Sequence, residues 1–332
     1  MKEYKQTIKT INRSSFLTEQ DLFLDIETLG LSPKTSPVYL IGLGHFTQEG
    51  YELIQLLAEN KEEEGEVIHR LFFYLQKADR VITFNGEAFD LPFLTQRSQL
   101  YRLGFTFEQS KIHTVDHLVL DSFDILKAVR SLRRILQFAH YNQTALEDFL
   151  QIQRAEDLDG GKLISVYKAY ENDADPVKEK TLLKHNAFDV IHMPMLLAML
   201  TYRSIPTTAY SVQSFSLSEH AVEFSAVSDL ILPAPLSIHK LGIHLQFREN
   251  TVKVFLPLED GKIRYYLPNP GDYVRLKADG QLLPKALASS LPSASYEKVD
   301  AENCYQEVAV TQDSLSETVL NRYLKQLLAQ LK

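Results

Sequence analysis

The sequence predicts an α/β fold, with a mixed central sheet flanked by helices, followed by a smaller β-rich α+β region. Three observations lead there. Apolar, β-branched runs open the chain at 22–27, 38–46 and 51–57. Short strand-like runs then alternate with segments of helical spacing as far as about residue 200. Past residue 205 the pattern changes to alternating runs separated by Asn250 and by Asp260-Gly261. Leading strands followed by strand–helix alternation imply a mixed sheet covered by helices.

The elements follow in order. Residues 22–27 (LFLDIE) and 38–46 (VYLIGLGHF) form a strand pair, with Ser32, Pro33 and Pro37 in the connection. A third strand covers 51–57. Val67, Leu71 and Leu75 recur at helical spacing within 59–78, an amphipathic helix. Residues 81–85 (VITFN) make a short buried strand, and a helix over 89–101 follows the Gly86 turn. A strand at 121–126 leads into a basic helix running from about 125 to 136. Short helices follow at 144–149 and 162–169, then a long helix or helix pair at 178–200. In the second region, 242–247, 251–256 and 262–267 read as an antiparallel meander. Residues 315–332 close the chain as an amphipathic helix, with Ser314 and Glu317 spaced as a capping box. The domain boundary is expected near residue 205: a first domain over 1–205 and a β-rich domain over 206–332.

Composition narrows the function classes. The chain has 332 residues, 45% hydrophobic and 23% charged, which excludes a disordered or collagen-like chain. The single cysteine, Cys304, excludes an internal disulfide framework. The N-terminal MKEYKQTIKTINRSS has no apolar core of a secretory signal, and no run approaches the length of a membrane span, so the expected compartment is the cytoplasm. The net charge of −8 is not the footprint of a protein that coats nucleic acid. Residues 206–332 hold 12 basic and 14 acidic side chains, 12 − 14 = −2, so most of the excess lies in the first region. A Gly-rich phosphate loop and a G-x-S-x-G element are both absent from the sequence.

Chemistry concentrates in the first region. Asp25 and Glu27 sit two apart on a strand, so both carboxylates point to one face. With Phe23, Leu24 and Ile26 around them, two unpaired charges would repel and cost desolvation energy. A divalent cation, Mg²⁺ or Mn²⁺, compensates such a pair; a solvent-exposed strand end is the alternative. Asp90 follows a buried strand at the start of a helix, where it is either a ligand or an N-cap. Asp189 lies on an apolar helix one turn after His185, as site residues or as an ordinary surface pair.

D-I-E on the first strand, N-x-x-x-F-D after a later strand, and a titratable residue one turn before a helical Asp resemble the DnaQ-like, or DEDD, 3′–5′ exonucleases, whose fold is ribonuclease H-like. The YprB-like ribonuclease H-like family is the most similar. Its pattern continues through Asp124-Ile125-Leu126-Lys127, the helix from Thr144 to Ile152, the D-x-D-G-G element from Asp157 to Gly161, and His185-Asn186-Ala187-Phe188-Asp189. The resemblance covers about residues 18–200. It implies that Asp25, Glu27, Asp90 and Asp189 are the carboxylates that hold two divalent cations for phosphodiester hydrolysis. It implies that His185 is the general base, although the family places a Tyr four residues, or a His five, before the last Asp, and here a His stands four before. It implies that Asn85 contacts the terminal nucleotide; a turn-former is the alternative. Asp124 either tunes the site from behind or starts a helix. Lys127, Arg130, Arg133 and Arg134 hold substrate phosphates or form a solvated helix face.

His113, His117 and His192 lack zinc spacing and are expected to be structural; Asp157 and Asp159 are expected in a turn. Cys304 is expected to be buried. Tyr265, Tyr266 and Tyr273 are sheet core or a stacking surface for unpaired bases. The expected partner is the 3′ end of DNA or RNA, single-stranded, with no membrane involved and the oligomeric state left open. Two alternatives to an exonuclease stand beside it: a catalytically silent module that binds nucleic acid or protein, and an endonuclease or flap-type nuclease using the same carboxylates.

Overall fold

The computed structural model describes residues 1–114, 118–154, 160–267, 269–300 and 302–331. The chain forms two compact units, Met1–Ser131 with His140–Leu200, and Leu132–Ala139 with Thr201–Lys332.

The first part of the chain runs β1 (Lys2–Ile8), β2 (Asp21–Thr28), β3 (Val38–Thr47), β4 (Gly50–Leu57), α1 (Glu64–Leu75), β5 (Arg80–Thr83), α2 (Asp90–Leu100), β6 (Thr106–Glu108), β7 (Lys111–His113), β8 (Val119–Asp124), α3 (Ile125–Arg130), α4 (Arg133–Leu136), α5 (Gln143–Phe149), α6 (Gly160–Asp173) and α7 (Pro176–Leu196). Its eight strands form one sheet in the order β1-β4-β3-β2-β5-β8-β7-β6. Pairing is parallel for β2–β5 and β5–β8 and antiparallel elsewhere, so the sheet is mixed.

Period-two alternation sorts β2 between two layers. Leu22, Leu24 and Ile26 join a cluster with Val67, Ile68, Leu71 and Leu75 of α1 and with Leu91 and Leu94 of α2. Asp25 and Glu27 therefore take the other face, where α7 crosses β2, β3 and β4. On that side Tyr39 and Leu40 of β3 pack with Leu163, Tyr167 and Tyr170 of α6 and Leu182 of α7. Asp175 caps α7 by accepting from the Val177 N–H at 2.8 Å, with Pro176 at the first helical position. The helix ends at Leu196 and continues as a 3₁₀ segment, Leu197–Thr207.

Several details differ from the sequence expectation, the β6–β7 hairpin among them. Strand β1 is polar and carries no apolar alternation; it is held by Lys2 Nζ and the Tyr4 hydroxyl on Glu179 (2.6 and 2.5 Å) and by Glu3 on Arg70 (2.6 Å). The basic helix expected over 125–136 is two short helices, broken at Ser131-Leu132. The break separates Lys127 and Arg130 from Arg133 and Arg134, which belong to the second unit.

The second unit adds β9 (Ser211–Leu217), β10 (Ala221–Val227), β11 (Leu236–Lys240), β12 (Ile243–Arg248), β13 (Thr251–Pro257), β14 (Lys262–Tyr266), β15 (Tyr273–Leu276), β16 (Leu282–Pro284), α8 (Lys285–Ala288), β17 (Tyr296–Lys298), β18 (Tyr305–Ala309) and α9 (Glu317–Ala329). Five strands form an antiparallel sheet, β11-β12-β13-β10-β9. The expected three-strand meander stops at two: β13 turns to β10, and β14 pairs with β18 in a separate sheet. A strand run specifies its own alternation but not its partner, which tertiary packing decides. The expected capping box is also displaced. Ser314 closes one with Thr311, whereas Ser316 caps α9 by accepting from Val319 N–H. Tyr266 is buried, Tyr265 is tied to Gln326 Oε1 at 2.7 Å, and Cys304 is a buried free thiol whose pKa burial raises. Among the described residues no helix is long and apolar enough to cross a membrane.

Candidate active site

The site grows from β2 and α7. Register aligns Asp25 with Gly42 of β3, and Gly42 with Gln55 of β4. Asn186 of α7, fully buried, fits over this row. Its Nδ2 donates to Asp25 Oδ2 at 2.9 Å, and its Oδ1 accepts from Gln55 Nε2 at 2.9 Å. Gly42 permits the approach: a Cβ there would lie 2.3 Å from Asn186 Oδ1 and 2.6 Å from Val190 Cγ2. The helix is thus seated on the sheet at the point where Asp25 needs a donor.

Asp90 opens α2 rather than capping it, since the cap position belongs to Phe89. Its Oδ1 accepts from Ile26 N–H at 3.0 Å, so the backbone between Asp25 and Glu27 is tied to a third carboxylate. Burial raises the Asp90 carboxyl to about 7, against the opposing pull of the Ile26 hydrogen bond. Asp124 lies behind this loop, buried. It caps α3 through Lys127 N–H (3.1 Å) and accepts from the N–H groups of Asn85 and Glu87, each at 3.1 Å. One carboxylate therefore starts a helix and also fixes the β5–α2 loop. Asn85 sits on that loop with φ 65°, a left-handed conformation that Asn tolerates.

On α7 the four-residue spacing brings His185 and Asp189 together. His185 Nε2 lies 3.3 Å from Asp189 Oδ2 and 3.8 Å from Glu27 Oε1. Glu27, His185 and Asp189 can each offer a ligand atom within 4.8 Å of one another. The imidazole stands among the carboxylates, where it can serve as a ligand as readily as a base. Burial raises the Asp25 carboxyl well above the ordinary range, and the charges of Asp189, Asp90 and Glu27 push it in the same direction. Burial likewise raises Asp189, against the pull of Arg154 and His185. Clustered carboxylates with oxygen and one imidazole nitrogen suit a hard divalent cation, which would relieve this repulsion.

Three contributors carry no sequence signal of their own: Gln55, Gly42 and Arg154. Arg154 Nη2 donates to Asp189 Oδ1 at 2.8 Å. Behind it, Glu147 of α5 is buried and meets His192 Nδ1 at 3.0 Å and Gln143 Nε2 at 2.9 Å. His192, expected to be structural, is buried against Glu147. Lys127 is 68% exposed and paired with Glu87 at 2.7 Å, and Arg130 is exposed on α3. Arg133 and Arg134 are on α4 of the other unit. His117, Asp157 and Asp159 lie outside the described residues.

The family match covers the part of the chain that builds this site. A family model of the RNase H superfamily matches residues 22–201. No curated protein matches the sequence. Among solved structures, the chain is similar to the family B DNA polymerase of the hyperthermophilic archaeon Pyrobaculum calidifontis, with 20% identity and a TM-score of 0.40 over 56% of this chain and 24% of that one. The chain thus spans about a quarter of that polymerase. It is also similar to Brucella melitensis NrnC bound to pGG, with 16% identity and a TM-score of 0.35 over 56% of this chain and 73% of that one. The same protein with bound Mg²⁺ gives 19% identity and a TM-score of 0.35, with the same coverage. With more than half of its length matched by the family model, over the part that builds the mixed sheet, the chain belongs to the ribonuclease H superfamily.

Proposed function

We propose that the chain is a metal-dependent 3′–5′ exonuclease of the YprB-like branch of the DEDD enzymes, hydrolysing phosphodiester bonds at single-stranded 3′ ends of DNA or RNA in the cytoplasm. One observation carries this. Glu27, His185 and Asp189 lie within 4.8 Å of one another, and the Asp25 and Asp90 carboxyls are both raised by burial and by neighbouring acids. In this proposal Asp25, Glu27, Asp90 and Asp189 would hold two divalent cations, Mg²⁺ or Mn²⁺, which would supply an activated water and charge stabilisation for the leaving oxygen.

The chain's own groups do the rest. Asn186 aims Asp25, and the Ile26 N–H aims Asp90. His185 Nε2 faces the carboxylates and takes the proton released by the attacking water. Asn85, on the loop that Asp124 fixes, meets the terminal nucleotide. Lys127, Arg130, Arg133 and Arg134 attract the phosphate backbone.

The test is digestion of end-labelled single- and double-stranded DNA and RNA with Mg²⁺, Mn²⁺ or EDTA, beside Asp25→Ala and His185→Ala. Stepwise shortening from the 3′ end is expected, lost in EDTA and in Asp25→Ala. His185→Ala should lose about 10²–10⁴-fold in rate. Internal cuts would assign an endonuclease to the same carboxylates. No turnover on any substrate would leave a silent binding module and sink the proposal.

A further inference from the structure

The carboxylate cluster contains a cation of its own. Arg154 follows α5, and its side chain is 12% exposed. Its Nη2 holds Asp189 Oδ1 at 2.8 Å, while Nη1 reaches Glu147 Oε1 and Oε2 at 3.4 and 3.5 Å. Glu147 is itself fixed. It is 1% exposed, and although burial favours its neutral form, hydrogen bonds from His192 and Gln143 keep its pKa below the ordinary value. Gln143 Nε2 also donates to the Asp189 carbonyl at 3.1 Å, so the anchor and the anchored carboxylate share one frame. The guanidinium further lies 5.7 Å from the centre of the Phe188 ring. An arginine keeps its charge at any working pH and loses little entropy in such a fork. These contacts are too specific for a solvated surface arginine.

We propose that Arg154 is a tethered counter-cation for Asp189, which competes with a divalent cation for that carboxylate and sets how tightly the site loads. The inference rests on the metal site proposed above. Two cations drawing on one carboxylate weaken each other's hold, because each repels the other and each satisfies the same charge. In the metal-free protein Arg154 limits the repulsion between Asp189 and Asp25; on loading, part of the binding energy is spent in loosening it.

The test is titration of the full chain with Mn²⁺ by calorimetry, for wild type, Arg154→Gln and Arg154→Lys, with melting curves in EDTA and in Mn²⁺. Arg154→Gln is expected to bind Mn²⁺ about tenfold more tightly than wild type, with Arg154→Lys in between. Arg154→Gln should also melt lower than wild type in EDTA and gain more from Mn²⁺. If Arg154→Gln is unfolded in EDTA, the tighter binding of Arg154→Lys carries the same test. Equal or weaker binding in the variants, with wild type binding normally, overturns the competition and leaves the metal site standing. Binding in Arg154→Gln but not in wild type supports it in the strongest form. No binding in any of the three overturns both.

Discussion

Gly42→Ala tests how α7 is seated. The new Cβ falls 2.3 Å from Asn186 Oδ1 and 2.6 Å from Val190 Cγ2. Both side chains are fully buried, so neither can swing aside and the helix must lift. Overpacking of this kind costs about 1–3 kcal/mol. Lifting also stretches the bonds from Gln55 to Asn186 and from Asn186 to Asp25, both 2.9 Å. A buried polar group left without its partner adds about 1–3 kcal/mol. The sum is about 2–6 kcal/mol, a large share of the roughly 5–15 kcal/mol that holds a domain folded. Urea denaturation followed by far-UV circular dichroism in EDTA reads the loss as a lower midpoint at unchanged slope. Asn186→Ala removes one of the two obstructing side chains, so the double variant should lose less than the sum of the single variants, by about 1 kcal/mol or more. A Gly42→Ala protein within about 0.5 kcal/mol of wild type, or strict additivity with Asn186→Ala, would show that the helix does not depend on this close approach.

Two further outcomes follow from the same geometry. The Asp90 carboxyl is raised to about 7 and that of Asp25 is raised as well, so the folded chain holds protons that the unfolded chain has released. Stability in EDTA should therefore fall as pH rises from about 4 through 7, and melting curves at pH 5 and pH 8 should show the lower temperature at pH 8. Saturating Mn²⁺ should flatten that dependence; a protein more stable at pH 8 in EDTA contradicts the charge arrangement. Asp124→Ala removes the acceptor of three backbone N–H groups, at Asn85, Glu87 and Lys127. It should cost about 1–3 kcal/mol and raise KM for oligonucleotides more than it lowers kcat, because the β5–α2 loop loosens while the carboxylates stay. An unchanged KM would separate Asn85 from substrate.

The parts of the fold written in periodicity were legible. The alternation of β2 placed Asp25 and Glu27 on one face, and four-residue spacing placed His185 over Asp189. What escaped depends on pairs far apart in sequence. Strand β1 has no apolar stripe because Lys2, Glu3 and Tyr4 find their partners at Glu179 and Arg70. Gln55 and Gly42 enter the site only through the register of β3 and β4 against β2. Arg154 lies in a stretch without periodicity, so its pairing with Asp189 across 35 positions left no local trace. The partner of β14 escaped for the same reason, since Lys262 and Ala309 face each other across the gap of a whole subdomain.

The segment Leu132–Ala139 has a consequence for synthesis. It is made in the middle of the first unit, yet it completes the second. Gln137 hydrogen-bonds to His239 in β11, 102 positions later. At about 5–20 residues per second, α4 leaves the ribosome some 5–20 s before its docking strand exists. Through that interval Leu132, Ile135 and Leu136, all buried in the finished protein, lack their cover. The nascent chain therefore carries an uncovered apolar segment until β11 has been made.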